Sequence, residues 1–224
     1  MQRKLEEKST HNMASRTANK IVRRQHILTT ALKIFNTQGF QNTKITDIIV
    51  ATNISTASFY KYFSNKRKLF QAILILNIEA EIDHATEHLN SITAIQPQDL
   101  LTIFANRANT DSFSELLYPD IIKEFTGYEH DHTVADFYHA KTEHFWRLLI
   151  RKLRQGHFIR PSLSDEALLI YFDVWVSYFM DGNKLNKSGQ PIIVELLPQI
   201  TELFLFGMIN VDPELQDVLI ERLK

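Results

Sequence analysis

The sequence predicts an all-α protein: a small basic head followed by a larger, acidic helical body. Three observations carry this. Glycine and proline number only 6 each in 224 residues, while long windows repeat their apolar residues at helical spacing and no convincing alternating stretch reads as a strand. Between Thr43 and Lys66, TKITDIIVATNISTASFYKYFSNK, two short helical patterns are joined by a tight turn, and the second is polar, aromatic and free of acids. Charge is divided along the chain: residues 1–70 hold 13 Lys/Arg against 3 Asp/Glu, whereas residues 71–224 hold 12 against 23.

The first helix is expected from about Ala18 to Gln38, with Ile27, Leu28, Ala31, Leu32, Ile34 and Phe35 as its buried stripe. Gly39 ends it as a C′ glycine and Phe40 packs beneath. Residues 1–14 are polar and unpatterned and are expected to be mobile, and Met13 is an alternative start. Thr43 is placed to cap a short helix, Lys44 to Thr52, whose apolar side is Ile45, Ile48, Ile49 and Ala51. Asn53 stands at the turn, where its tolerance of positive φ substitutes for glycine. Ser55 is a good N-cap for the next helix, Thr56 to Phe63. Within it Phe59 and Phe63 are four apart and turn inward, which leaves Thr56, Ser58, Tyr60, Lys61 and Tyr62 for the outer surface.

A long helix follows from Lys66 to about Asn90, starting in the basic half and ending in the acidic one. Pro97 opens a helix over about 98–108, and another spans 112–125 with an interruption near Pro119. Thr133 to Gln155 is a long amphipathic helix stopped by Gly156. Ser164 begins a very apolar helix to about Asp181, Pro191 opens a second over 192–209, and Pro213 a short last one. Two neighbouring helices that are apolar nearly all round need cover on all sides. They form either a buried intramolecular pair or, the reading favoured here, a twofold four-helix interface between two copies. The candidate interface residues are Trp175, Phe179, Leu196, Ile200, Leu203 and Phe206.

Composition excludes several functions. There is no cysteine, so disulfides, thiolate metal sites and cysteine nucleophiles are absent. No apolar run reaches the length of a membrane span and the N-terminus is polar, so a soluble, cytoplasmic protein is expected. No glycine-rich phosphate loop, nucleophile elbow or distinguishable pair of catalytic carboxylates occurs, which argues against an enzyme. No cofactor is expected.

The second short helix fits a different task. Hydroxyls, phenols and an ammonium can hydrogen-bond base edges and phosphates, and Ala57 permits close approach to a duplex. The basic surplus around it displaces counterions from DNA, while the acidic body is repelled. Over residues 21–81 the chain resembles the TetR family of transcriptional regulators. The resemblance rests on Ala31–Phe35, Gly39-Phe40, Thr46–Ala51 and SFYKYFSNKRKLF at Ser58–Phe70; farther on it extends only to architecture and the loop Gln155–Leu168. It implies a flexible basic arm over 1–20, a helix-turn-helix domain over 21–81 (motif about 44–63) and a regulatory and dimerisation domain over 82–224. It implies a homodimer on a palindromic operator of double-stranded DNA, usually a repressor released by a small ligand. Lys44, Thr46, Ser55, Thr56, Ala57, Ser58, Tyr60, Lys61, Tyr62 and Lys66 are then the DNA-binding set, with Lys44, Thr46 and Lys66 on phosphate. Asn53 and Ala57 depart from glycines usual in the family, and Ala57 bears on how closely the helix approaches the bases.

In the acidic half most aromatics must be core. Phe104, Phe125, Phe137, Phe145, Tyr171, Trp175 and Tyr178 are the candidates to line a pocket for a small apolar or aromatic ligand. The alternatives are a metal-responsive regulator, using His84 and His88 or the cluster His130, Asp131 and His132, and a helical adaptor that does not bind DNA.

Overall fold

The computed structural model describes residues 2–96, 99, 112–125, 130–179, 199 and 203, with side chains described from residue 17 onward and not at 175–179. Every regular element among them is a helix: α1 Gln2–Gln38, α2 Ile45–Thr52, α3 Thr56–Tyr60, α4 Lys66–Ser91, a 3-10 turn Glu115–Leu117, α5 Tyr118–Phe125, α6 Thr133–Gln155 and α7 Asp165–Phe179. Contacts divide the chain into two compact units, Met1–Ile73 and Leu74–Lys224, and α4 runs through the division. Apart from residues 99, 199 and 203, the helices expected over 98–108, 192–209 and after Pro213 lie outside the described residues.

In the first unit α1 buries Ile27, Leu28, Ala31 and Phe35 on one stripe. Its backbone is helical from Gln2, well before the expected start near Ala18. The absence of an apolar stripe there conceals a helix that no proline or glycine interrupts. Gly39 closes α1 at φ +79, with its N–H donating to the Phe35 carbonyl at 2.8 Å. The chain then drops Phe40 against Phe35 and Phe70, ring centroids 5.5 and 4.7 Å away, and Phe35 meets Phe70 edge-on at 5.6 Å. Ile48 of α2, Phe59 of α3 and Leu69 and Ile73 of α4 complete this core.

Thr43 does not cap α2. Its buried hydroxyl donates back to the Gly39 carbonyl at 2.8 Å, and the cap position falls to Lys44, whose backbone N–H is taken by Asp47 Oδ2 at 3.1 Å. A threonine beside a helix start serves either neighbour, and here the α1 terminus takes it. The third helix is also shorter than expected, since Lys61 and Tyr62 form a turn rather than a second helical turn.

In the second unit α4 buries Leu74, Ile78, Ile82 and Leu89. Pro119 sits in the first turn of α5, where a missing N–H costs nothing. Leu148, Leu149 and Leu153 line the buried side of α6, and Trp146 stacks on Phe172 of α7 at 4.4 Å. Ser164 caps α7 by accepting from the Ala167 N–H at 3.1 Å. Gly156 follows α6 for a reason of space rather than backbone freedom. Its φ is −82, and an added Cβ would stand 2.6 Å from the Phe158 ring, while the positive φ falls on His157.

Lys141 of α6 meets Asp83 of α4 at 2.8 Å and Glu79 at 3.7 Å. The hydrogen bond to Asp83, with the charge of both carboxylates, holds its ammonium above the ordinary lysine range although partial burial opposes this. An upward shift of a base stabilises the fold below its unfolded pKa and is lost as pH rises through the folded one. This tie therefore holds at neutral pH and is lost in strong alkali, as the ammonium deprotonates, and in acid, as Asp83 and Glu79 are protonated.

Candidate nucleic-acid interface

The turn between α2 and α3 is fixed by Asn53, at φ 51 and ψ 43, whose N–H closes on the Val50 carbonyl at 3.2 Å. A residue without a short polar side chain pays roughly 1–2 kcal/mol for this left-handed conformation. Asn53→Ala is therefore expected to lower stability by about 1 kcal/mol while Asn53→Gly does not, which urea unfolding of the two variants will decide. Ser55 then caps α3, accepting from the Ser58 N–H at 3.2 Å. On α3 Phe59 is fully buried, and Phe63 beyond the turn is nearly so. Those two rings fix the rotation of the helix. They leave Thr56, Ala57, Tyr60 and Lys61 exposed, with Ser58 and Tyr62 half-buried.

Lys44 and Thr46, at the start of α2, are also exposed. The Ser55 and Ser58 hydroxyls lie 2.9 Å apart and hold each other, so they present one shared polar edge rather than two independent groups. Lys66 is engaged within the head itself. Its ammonium donates to the carbonyls of Phe40 at 2.6 Å, Gln41 at 3.1 Å and Thr43 at 2.9 Å. An ammonium has three protons, and these three carbonyls accept them. The guanidinium of Arg24 on α1, part of the basic surplus of the first helix, lies 5.4 Å from the centre of the Phe63 ring. The pairing spans residues too distant for any local pattern to reveal. With Lys20 and Arg23, also exposed on α1, it adds cations beyond the two short helices.

Phe125 meets Tyr138 edge-on at 5.4 Å, and Phe137 is half-buried on α6. Phe145 is core, 5.0 Å from Trp146. Tyr171 neighbours Phe172 and donates its hydroxyl to the Leu203 carbonyl at 3.4 Å. Phe104 and the side chains of Trp175 and Tyr178 lie outside the described residues, as do Phe179 in its side chain and Leu196, Ile200 and Phe206 of the expected interface. Leu203 is exposed.

The metal alternative finds no support among the described residues, where no three His, Asp or Glu side chains stand together to hold an ion. Asp131 explains part of this: its carboxylate accepts from the Thr133 N–H at 3.1 Å and so serves the start of α6. His139 pairs with Asp173 of α7 at 3.2 Å instead of with His130 and His132. His84 is exposed and His88 half-buried on the last turns of α4.

A buried aromatic core that turns one short polar helix outward, on a basic head, defines a helix-turn-helix DNA-binding protein. Residues 27–73 match the model of bacterial regulatory proteins, tetR family. The HTH-type transcriptional regulator YfiR of Bacillus subtilis (strain 168), itself uncharacterized, is 25% identical over 176 residues, 75% of this chain and 85% of YfiR. The fold is similar to that of the transcriptional regulator FadR from Bacillus subtilis, solved in complex with stearoyl-CoA (TM-score 0.59, 14% identity, 82% of this chain and 98% of that one). It is also similar to a TetR-family transcriptional regulator from Cytophaga hutchinsonii (TM-score 0.53, 18% identity, 89% and 90%). The chain thus matches the tetR family of regulatory proteins over its head, residues 27–73, and is similar in fold to TetR-family regulators along most of its length. Its relatives are regulators rather than enzymes, and no helix among the described residues is long and apolar enough to cross a membrane.

Proposed function

We propose that the protein is a homodimeric repressor that reads a palindromic operator through α3 and is released by a small apolar ligand held in its second unit. The observation that carries the DNA reading is the outward face of α3: Thr56, Ala57, Tyr60 and Lys61 are exposed while Phe59 anchors the opposite side. Lys44 and Thr46 hold phosphate and set the register; the α3 side chains read the bases. In this reading residues 21–81 form the DNA-binding domain and 82–224 the regulatory one.

Two heads follow from the groove geometry, because successive major grooves on one face of the duplex recur every 34–36 Å or so. Support for a second copy comes from α7, where Ile170 and Val174, one turn apart, are 65% and 60% exposed, and from Leu203 at 63%. Large aliphatic side chains so exposed on an apolar helix fit a surface that a partner covers. Val174→Glu together with Leu203→Glu is expected to convert the dimer to monomer and to weaken operator binding, as read by light scattering and anisotropy. An unchanged dimer would move the interface elsewhere.

Release is read through α4, unbroken from Lys66 to Ser91. A ligand that prefers the conformation with misplaced heads by only about 1.4 kcal/mol shifts occupancy tenfold. The transcriptional regulator FadR, similar in fold, was solved in complex with stearoyl-CoA, which supports acyl-CoAs as a first set to screen. The test of the whole reading is an anisotropy titration against the DNA flanking the protein's own gene, at two salt concentrations and with unrelated duplex as competitor. Competitor-resistant binding that falls steeply with salt is expected. Binding abolished by the competitor would reduce the head to a non-specific basic surface, and no binding at all would favour the adaptor.

A further inference from the structure

We propose that Lys66 is a positioning residue of the DNA-reading head, an internal cation that fixes the corner between α1 and α2 and so sets how α2 and α3 meet the duplex. The inference rests on the reading that this head binds DNA. The corner, residues 39–44, is a stretch of backbone with no helical ladder of its own. The chain's last helical carbonyls and the loop carbonyls after them need donors. They receive them from side chains: Asn42 Nδ2 donates to Gln38 at 3.1 Å, Thr43 Oγ1 to Gly39 at 2.8 Å, and Lys66 Nζ to Phe40, Gln41 and Thr43 at 2.6, 3.1 and 2.9 Å. The ammonium also lies 4.5 Å from the centre of the Phe40 ring.

Lys66 differs from the other two donors in coming from 23 to 26 residues along the chain. It is the first residue of α4. One side chain thus joins the C-terminal end of α1, where a cation complements the helix dipole, to the helix that leaves the head. Directly after the corner comes Lys44, the cap of α2, so whatever moves the corner moves the start of the motif. A lysine suits this cage and an arginine does not: a compact ammonium offers three divergent protons to carbonyls arranged around it, whereas a guanidinium presents a flat fork. A phosphate contact has the opposite preference, since arginine binds phosphate at least as well as lysine.

That contrast supplies the test. Lys66→Arg and Lys66→Gln are compared with the parent and with Lys44→Gln in operator anisotropy across a salt series, and in hydrogen exchange at the amides of residues 39–47. Both Lys66 variants are expected to weaken operator binding at least tenfold with the salt slope unchanged, and to speed exchange at the corner. Lys44→Gln is expected to lower the slope by about 0.9 for each head, the signature of one lost phosphate contact, with exchange at the corner unchanged. If Lys66→Arg binds like the parent and Lys66→Gln lowers the slope, Lys66 is a phosphate contact and the proposal is overturned. Corner exchange unchanged in both Lys66 variants overturns it as well, whatever the DNA shows. If the parent itself fails to prefer operator over competitor, the DNA reading falls, a result separable from the exchange measurement. The retained charge in Lys66→Arg guards against a general loss of fold, which the helical circular dichroism of each variant monitors.

Discussion

Tyr60→Ala is expected to abolish preference for the operator while leaving the helical content intact. The ring is half exposed, the largest side chain on the outward face of α3, and its backbone is held by a helix whose other side is anchored by Phe59. A phenol in the major groove offers a donor and an acceptor to base edges and an apolar ring to a thymine methyl. Losing one good base contact costs about 1–3 kcal/mol. With two heads on a palindrome the loss doubles to about 2–6 kcal/mol, roughly 30-fold to more than 10,000-fold in affinity. Non-specific binding, set by cations such as Lys44 and Lys61, should survive. The ratio of operator to competitor affinity is therefore the quantity to measure.

Tyr60 also meets Phe59 edge-on at 5.5 Å, so part of any effect could come from stability. Such a ring pair contributes about 0.5–1.5 kcal/mol, too little to unfold an ordinary domain. Tyr60→Phe separates the two contributions by keeping the ring pair and removing the hydroxyl. Lys61→Ala should instead lower both affinities together and flatten the salt slope by about 0.9 for each head if it rests on phosphate. Should Tyr60→Ala discriminate operator from competitor as the parent does, α3 does not read the bases and the interface lies elsewhere on the head.

How much of this was legible in the sequence depended on how local the cause was. Asn53 in its left-handed turn, Ser55 as a cap, Gly39 as a helix stop and the limits of α6 at Thr133 and Gln155 are set by neighbours within a turn or two, and the pattern reads directly. The inward pair Phe59 and Phe63 was equally plain, since helical spacing decides which side is buried even though the helix proper ends at Tyr60. What the pattern does not show are contacts with a partner far along the chain. Lys66 has the composition of a phosphate ligand, and nothing near it reveals that the carbonyls of residues 40, 41 and 43 accept from it. Arg24 beside Phe63 is invisible for the same reason, and Thr43 was assigned to the wrong one of two adjacent helix ends. The aromatic-rich second half shows the limit most clearly. Core rings and pocket rings have the same composition, and only the pairings of Phe125 with Tyr138 and of Phe145 with Trp146 tell which packing each has joined.

Phe70→Ala is expected to cost the head most of its stability and so to eliminate DNA binding without touching any residue that faces the duplex. The Phe70 ring is fully buried, against Phe40 at 4.7 Å and edge-on to Phe35 at 5.6 Å. Removing a buried phenyl group costs about 3–5 kcal/mol, through lost transfer energy and the cavity left behind. Against a total of roughly 5–15 kcal/mol for a typical domain, that loss is a large fraction. The site has little means of collapsing, because Phe35 is held in α1 and Phe40 is fixed by the backbone that Lys66 grips. Phe70 stands one turn beyond Lys66 on α4, so both side chains point at the same corner and both engage Phe40. The two differ in kind: Lys66 orients the corner through hydrogen bonds, while Phe70 supplies apolar burial beneath it. Phe70→Leu retains most of the volume and should lose only about 1–1.5 kcal/mol, keeping measurable operator affinity. Urea unfolding of the three proteins decides the matter. A Phe70→Ala midpoint close to that of the parent would mean that Phe35 and Phe40 close the core without it, and that the head draws its stability from the α1 and α2 contacts alone.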